Sequence, residues 1–304
     1  MRRPVAGWDG DRWVVHYHGM DDAIFRSGLA RGRSLDVLYK DALWPTSGDT
    51  LTFYSVHGDE DAVAISLDTE VDGYEISTRG MTSMHLDVER GYLLVSSKLL
   101  SYIVVIDVRD DTTTGVPDTN YLGVEAILTV ETSTGGAGFR GLMTVPGQPY
   151  VYALNDSPEG VYLFDLDLVE DNKTGDVIRD AFVGYLPSAR GLERDQALDT
   201  VTSAGPTGMA VTPDGSHLLV ANFNANSVSI YDLRMGAYGE WVGEADLLGE
   251  NPYMVRMSPD GRYAVVAMYV GEVETARVNS TLAVIDMDPD SEQFMEVLTW
   301  IGNL

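Results

Sequence analysis

One pattern recurs five times along this chain of 304 residues: an apolar run typical of a strand, a polar turn, and a second apolar run that ends in aspartate. The terminal residues are Asp68, Asp107, Asp165, Asp232 and Asp286. Successive repeats are therefore about 40 to 70 residues apart, which is enough for four short strands and their loops. The runs have the two-residue period or the wholly apolar character of strands, and the 3.6-residue period of helices is scarce.

A further short strand precedes each pair of runs. In two repeats it ends in Pro-Asp-Gly, within GMAVTPDG (208–215) and YMVRMSPDG (253–261). Because proline presets φ and glycine adopts positive φ readily, this tripeptide predicts a tight turn between the first two strands. Weaker versions of the pattern occur at 83–91 and 141–148. Residues 4–25 align with residues 252–269, and they give a sixth, more divergent repeat that lacks the terminal aspartate.

Antiparallel four-stranded units repeated around an axis form a β-propeller, in which each sheet packs face to face on its neighbours. The expected fold is therefore all-β, with a single β-propeller domain over residues 1–304 and six visible blades. A seventh blade would be expected if the chain is a piece of a longer one. The predicted repeats are 4–39, 40–80, 81–138, 139–205, 206–250 and 251–304. A linear solenoid is less favoured, because the strands follow one another as meanders.

The stretch GPTGMAVTPDGSHLLVANFNANSVSIYDL (205–233) resembles the YVTN-type repeats of lactonase-like β-propellers. The resemblance extends through residues 205–304 and is weaker in 83–166. It implies a location outside the cytoplasm, periplasmic or extracellular. It also allows lactone hydrolysis by a few polar groups at the mouth of the central channel.

The charge balance excludes several classes of partner. Asp and Glu number 47 against 20 Lys and Arg, for a formal net charge of −27, so nucleic acid and anionic membranes are not expected to bind. The absence of cysteine excludes disulfides, thiolate metal sites and cysteine nucleophiles, and it fits a location outside the cytoplasm. No apolar run is long enough for a transmembrane helix, and the N-terminal Met1-Arg2-Arg3-Pro4 lacks the apolar segment of a signal peptide.

Candidate ligand-binding residues come from the loops that should surround the channel mouth. In a propeller, the turns between the second and third strands and the linkers between blades emerge on one face, where several blades converge. The candidates at such positions are His18, His57, Arg140, Asn155, Asn222 and Arg277. The last of these lies in an extended turn of the sixth repeat, 269–279. The alternative for the two histidines is that they hydrogen-bond the turn backbone, as asparagines of sibling repeats would.

A weak calcium site is the one metal site that the residues suggest. Asp286, Asp288 and Asp290 alternate as carboxylates do in calcium loops. The segment lacks glycine at the sixth position of such a loop, and Val297 stands where an acidic residue should be at the twelfth. A solvated hairpin turn is the alternative. No other cofactor is expected: Gly-Ala-Gly-Phe-Arg-Gly (136–141) matches a dinucleotide-binding pattern, but it precedes a strand and not the required helix.

Three functions are consistent with these observations. The favoured hypothesis is a non-catalytic binding or scaffold module for a protein partner or a small molecule, which could be a subunit of a larger complex. The second is a lactonase-like hydrolase, and the third is a propeller subunit of a redox complex whose partner chains hold the cofactor. The motifs of serine hydrolases, zinc proteases and P-loop enzymes are missing, and the fold does not select among the three.

Overall fold

A computed structural model describes the backbone of residues 5–9, 12–18, 24–28, 37–40, 50–54, 63–66, 69–71, 74–76, 81–87, 89–97, 101–107, 123–130, 138–156, 159–171, 176–187, 204–247, 251–269 and 282–301. Side chains are described from residue 83 onward, apart from those of 97, 156, 170, 171 and 176. The chain forms two compact units, Met1–Thr144 with Phe164–Phe182, and Val145–Leu163 with Val183–Leu304.

The described elements are strands, with one short helix. The strands are β1 (Val5–Asp9), β2 (Arg12–His18), β3 (Ile24–Gly28), β4 (Val37–Lys40), β5 (Thr50–Tyr54), β6 (Val63–Ser66), β7 (Thr69–Val71), β8 (Tyr74–Ile76), β9 (Met81–Asp87), β10 (Tyr92–Ser97), β11 (Tyr102–Asp107), β12 (Val124–Thr129), β13 (Phe139–Thr144), β14 (Tyr150–Asp156), β15 (Glu159–Asp165), β16 (Asp176–Ile178), β17 (Phe182–Pro187), β18 (Pro206–Val211), β19 (His217–Asn222), β20 (Ser227–Asp232), β21 (Glu240–Asp246), β22 (Pro252–Met257), β23 (Tyr263–Met268), β24 (Leu282–Asp286) and β25 (Val297–Ile301). The helix, α1 (Asp167–Asp171), follows β15. Within the described residues no helix is long and apolar enough to cross a membrane.

From residue 81 onward the described strands form four sheets of four or five strands each. Sheet 4 has the order β13-β14-β15-β17, sheet 5 the order β18-β19-β20-β21, and sheet 6 the order β22-β23-β24-β25. Sheet 3 is a meander of β9 to β12 with β16 added outside β12. Before residue 81, β1-β2-β3 and β4-β5-β6 form three-stranded sheets, and β7-β8 is a hairpin.

Sheet 3 differs from the predicted repeat at its outer edge. The strand β16 lies within the predicted fourth repeat, 139–205, yet it pairs in parallel with β12 of the third. The other pairs of the sheet are antiparallel. The outer strand of a four-stranded unit leaves a row of backbone N–H and C=O groups unpaired, and β16 covers them with a non-local segment.

The core between sheets 5 and 6 explains the apolar run of β19, residues 218–221. Both β19 and β20 are buried along their entire length. On one face, Leu219, Val228 and Ile230 pack in a single cluster with Val266 and Ile285 of sheet 6. A strand that is covered on both faces can carry apolar side chains at successive positions, as β19 does, whereas the buried serines of β20 are hydrogen-bonded to Glu244.

The predicted Pro-Asp-Gly turns are confirmed in sheets 5 and 6. Gly215 and Gly261 have φ of 72° and 74°, in the left-handed region that glycine adopts without strain. The amide of Gly215 donates to the carbonyl of Thr212 at 2.8 Å, and that of Gly261 donates to the carbonyl of Ser258 at 2.9 Å. Each turn therefore closes a tight hairpin between the first two strands of its sheet.

The aspartates that end the repeats have a structural role after the third strand. The Oδ1 atoms of Asp165, Asp232 and Asp286 each accept a hydrogen bond at 2.9 Å from the backbone N–H two residues further on. An aspartate that bonds its own chain in this way stabilises the start of a turn. In these three sheets the repeated aspartate therefore has a structural contact that recurs after the third strand.

Candidate binding surface at the loop ends of sheets 5 and 6

Each antiparallel sheet has two distinct ends. In sheets 5 and 6 the turn end carries the turns 212–216, 233–239, 258–262 and 287–296, and the loop end carries the connection 223–226 together with Leu247 and Asn251. Side-by-side contacts show that the two loop ends coincide: Thr207 Oγ1 donates to the carbonyl of Pro252 at 3.1 Å, and Asn251 Nδ2 donates to that of Phe223 at 2.9 Å. Asn222, the predicted channel-mouth residue that is described in these sheets, belongs to the loop end.

The structure places the six candidate residues in different environments. His18 is the last residue of β2, where only the backbone is described, and His57 and Arg277 lie outside the described residues. Arg140 is exposed, as the second residue of β13. Asn155 and Asn222 are fully buried. Their predicted role in ligand binding stays a prediction for all six.

Asn222 belongs to a buried polar network inside sheet 5. Its Nδ2 donates to Ser229 Oγ at 2.8 Å and more weakly to Ser227 Oγ at 3.4 Å. Both serine hydroxyls then donate to Glu244 Oε1, at 3.2 Å from Ser227 and 3.0 Å from Ser229. The Oδ1 atom of Asn222 is buried and accepts no hydrogen bond. The hydrogen bonds that Asn222, Ser227 and Ser229 donate therefore all end on acceptors within the sheet, and Asn222 Oδ1 lacks a donor. Ordered water commonly occupies such a place.

Asn155 makes a related contact in sheet 4. Burial raises the pKa of the Tyr162 phenol, and a hydrogen bond with Asn155 opposes that shift. Tyr162 and Ser229 both lie three residues before the terminal aspartate of their repeats. In both sheets the asparagine near the end of the second strand therefore bonds a side chain of the third strand.

The three residues of the calcium prediction lie in the turn after β24. Asp286 accepts hydrogen bonds from the amide of Asp288 at 2.9 Å and from the hydroxyl of Ser291 at 2.6 Å. Asp288 accepts from the amide of Asp290 at 3.1 Å and pairs with Arg262 at 3.0 Å. Among the described residues there is no group of three metal-binding side chains around one point. Calcium binding stays a prediction, and the contacts shown here are those of a hairpin turn.

The loop end also carries an aromatic cluster of Phe223, Tyr253 and Tyr269. The ring of Tyr269 lies 5.6 Å from that of Phe223 and 5.8 Å from that of Tyr253, with tilts of 52° and 39°. Tyr253 is 42% exposed and Tyr269 is 52% exposed. Two of the three rings thus present a large area to solvent at a place where the backbone of both sheets is fixed.

Close contact between the inner strands holds this cluster in place. At Gly208 of β18, a side chain's Cβ atom would lie 2.8 Å from the carbonyl oxygen of Tyr253, so only glycine permits this approach. The amide of Tyr269 donates to the carbonyl of Asn251 at 2.7 Å. The two exposed tyrosines are therefore attached to backbone that is hydrogen-bonded or packed on the neighbouring strand.

Exposed apolar side chains concentrate at this end of sheet 6. Of the six large hydrophobic residues that are exposed in the described structure, four lie here: Tyr253, Tyr269, Leu282 and Ile301. By strand register Leu282 faces Ile301 and also Ala267, two residues before Tyr269. Exposed apolar residues that share one end of a sheet indicate a site of interaction more often than residues scattered over the surface do.

Sequence reasoning missed the aromatic cluster, although one signal was present. Phe223 and Tyr269 occupy the same position in successive repeats, directly after the second strand. Aromatic residues in strands are common in sheet packing, so the pattern alone does not distinguish an exposed ring from a core ring. Exposure depends on the neighbouring sheet, which the local sequence does not show.

Comparison with known proteins gives the fold. No protein-family model and no curated protein match the sequence. Among solved structures, Kuenenia stuttgartiensis hydrazine synthase is similar with a TM-score of 0.52 and 15% identity, over 77% of this chain and 53% of that chain. The β-propeller domain of Myceliophteria thermophila Cps50 (Swd1) is similar with a TM-score of 0.48 and 16% identity, over 84% of this chain and 68% of that chain. This chain thus spans about half the length of the hydrazine synthase chain. Such likeness shows the fold alone: with its four-stranded antiparallel sheets, the chain is an all-β protein of the β-propeller fold.

Proposed function

We propose that the chain is a non-catalytic binding module that contacts a protein partner through the loop end of sheets 5 and 6. The observation that carries this proposal is the aromatic cluster, with Tyr253 and Tyr269 about half exposed. Tyrosine rings supply large contact areas at a low cost in conformational entropy, and they are enriched in protein interfaces. The expected location outside the cytoplasm belongs to the same proposal, and it is supported by the resemblance of residues 205–233 to YVTN-type repeats.

Two of the polar groups considered for a hydrolase, Asn155 and Asn222, favour the binding proposal over a lactonase. Asn155 and Asn222 are fully buried, and the amide of Asn222 donates its protons to Ser227 and Ser229 of its own sheet. A catalytic group must come within hydrogen-bond distance of a substrate. The purified chain is therefore expected to leave a panel of sugar and acyl lactones unhydrolysed, and turnover that depends on Asn222 would contradict the proposal.

Site-specific crosslinking tests the binding surface directly. A photoreactive phenylalanine derivative at position 269 is expected to yield covalent adducts with a distinct protein in the producing cells. The matched control is the same group at position 185, because Tyr185 is 54% exposed but lies on β17, outside the aromatic cluster. The proposal is contradicted if adducts form equally at both positions or at neither.

A further inference from the structure

The described cations of sheets 5 and 6 all lie toward one end of the two sheets. In the described part of sheets 5 and 6, the cations are Arg234, Arg256 and Arg262. Arg234 and Arg262 belong to the turn end, where they pair with Asp232 and Asp288. Arg256 lies in the second half of β22, toward the same end, and donates to the carbonyl of Val255 at 2.8 Å. None of these described cations lies at the loop end.

Carboxylates occur at both ends, and most of those described in sheets 5 and 6 belong to the turn end. At the loop end, Glu244 accepts from two serines, and Asp246 at the end of β21 is exposed. Asp246 lies opposite Ser227 in the strand register. The amide of Leu247, the next residue, donates to the carbonyl of Asn226, which belongs to the same connection as Phe223. The aromatic cluster therefore lies at an end of the two sheets where the described charged side chains are carboxylates.

We propose that this aromatic cluster binds an arginine-rich segment of a protein partner, with guanidinium groups over the faces of Tyr253 and Tyr269. This inference rests on the proposed binding function and adds the chemical class of the partner. Aromatic faces attract cations, and arginine also stacks on them through its planar guanidinium. A net charge of −27 adds a long-range attraction that brings basic segments toward the surface.

Other occupants fit these observations less well. Nucleic acid could stack bases on exposed rings, but its phosphates would meet a strongly acidic chain. An uncharged sugar could stack on the tyrosines, yet it would gain nothing from the negative net charge. Single-stranded DNA and a neutral oligosaccharide are therefore included in the test as comparison ligands.

The test measures binding of fluorescent peptides by anisotropy at low ionic strength. The probe is a peptide of alternating arginine, glycine and serine, and the comparison peptides carry lysine or glutamine in place of arginine. The decisive variant is Tyr253→Ser with Tyr269→Ser, which removes both exposed rings and leaves the net charge unchanged. Two lost cation–π contacts are expected to weaken binding of the arginine peptide by about five- to thirty-fold.

Two controls separate the aromatic cluster from net charge. Tyr185→Ser removes an exposed tyrosine from another strand and is expected to leave the affinity within about twofold. The double variant Tyr253→Phe with Tyr269→Phe keeps both faces and is expected to bind nearly as the original chain does. Circular dichroism of each variant checks that the sheets remain folded.

Equal binding by the double serine variant and the original chain would overturn the inference, because attraction would then come from net charge alone. Tighter binding of the glutamine peptide, of a neutral oligosaccharide or of single-stranded DNA would overturn it too. If crosslinks form at position 269 in cells while the arginine peptide does not bind, the partner class is wrong and the binding function stands. Absence of both crosslinks and peptide binding would remove both proposals.

Discussion

Replacing Gly208 by alanine would place a methyl group between the inner strands of sheets 5 and 6. The added Cβ atom would lie 2.8 Å from the carbonyl oxygen of Tyr253 and 3.0 Å from the Cα atom of Met254. Both neighbours are backbone atoms, so relief requires β22 to move by about 0.6 Å to reach an ordinary contact of 3.4 Å. We expect overpacking to lower the free energy of unfolding by about 1–3 kcal/mol. Alanine also reduces the conformational entropy of the unfolded chain, which offsets about 0.4–1 kcal/mol of this loss.

The same sheet offers a matched control. At Gly243 of β21, an added Cβ atom would approach only the Sδ and Cε atoms of Met295, both at 3.0 Å. Because a methionine side chain adapts by rotation, Gly243→Ala is expected to change stability by less than about 1 kcal/mol. Neither glycine has a positive φ, so backbone strain does not enter the comparison.

Urea unfolding followed by far-ultraviolet circular dichroism gives both values. The expected result is a lower midpoint for Gly208→Ala than for Gly243→Ala, with similar slopes. Equal midpoints would refute the reasoning, since they would mean that β18 and β22 are not held at the distance that the structure shows.

Three further predictions concern polar groups of sheet 5. Ser229→Ala leaves the buried amide of Asn222 without its 2.8 Å partner, and urea unfolding is expected to show a loss of about 1–3 kcal/mol. The hydrogen bond from Thr212 lowers the pKa of Asp214 to about 2, and that from Arg234 lowers the pKa of Asp232 to about 2. The stability that the two ionised carboxylates contribute is therefore present above about pH 4 and is lost as the pH falls from about 4 to 2. In Asp232→Asn, the urea midpoint of unfolding should depend less on pH over this range. Burial lowers the pKa of His217, so the unfolded chain binds this proton first and stability falls as the pH drops below about 6.5, an effect that His217→Gln should remove.

The sequence predicts the sheets best where their contacts are local. Pro-Asp-Gly at 213–215 and 259–261 fixes the first hairpin through the dihedral preferences of three adjacent residues, and the structure contains both turns. The repeated aspartate predicts the end of the third strand, because its carboxylate bonds the chain two residues away. Such interactions are encoded within a few residues, so they can be identified without knowing the neighbouring sheet.

Non-local contacts account for what the sequence does not show. The pairing of β16 with β12 joins residues of two predicted repeats, and no local pattern selects one sheet edge over another. Asn222 has a position that suggests an exposed mouth residue, but Ser229 and Glu244 on two other strands engage its network inside the sheet. Burial is decided by the strands that come to lie beside a residue, and these are distant in the chain.

The two ends of sheets 5 and 6 differ in how their side chains are engaged, and this difference supports a binding role for one of them. At the turn end, Asp232 pairs with Arg234, Asp288 pairs with Arg262, and aspartates accept backbone N–H groups within the turns. Side chains used in this way stabilise hairpins and have little capacity left for a ligand. At the loop end, the exposed rings of Tyr253 and Tyr269 stabilise no turn through a polar contact of the described structure. Exposed aromatic surface is costly in water, and the described part of the loop end has no cation, so a partner that covers these rings with cationic groups is the occupant that we propose.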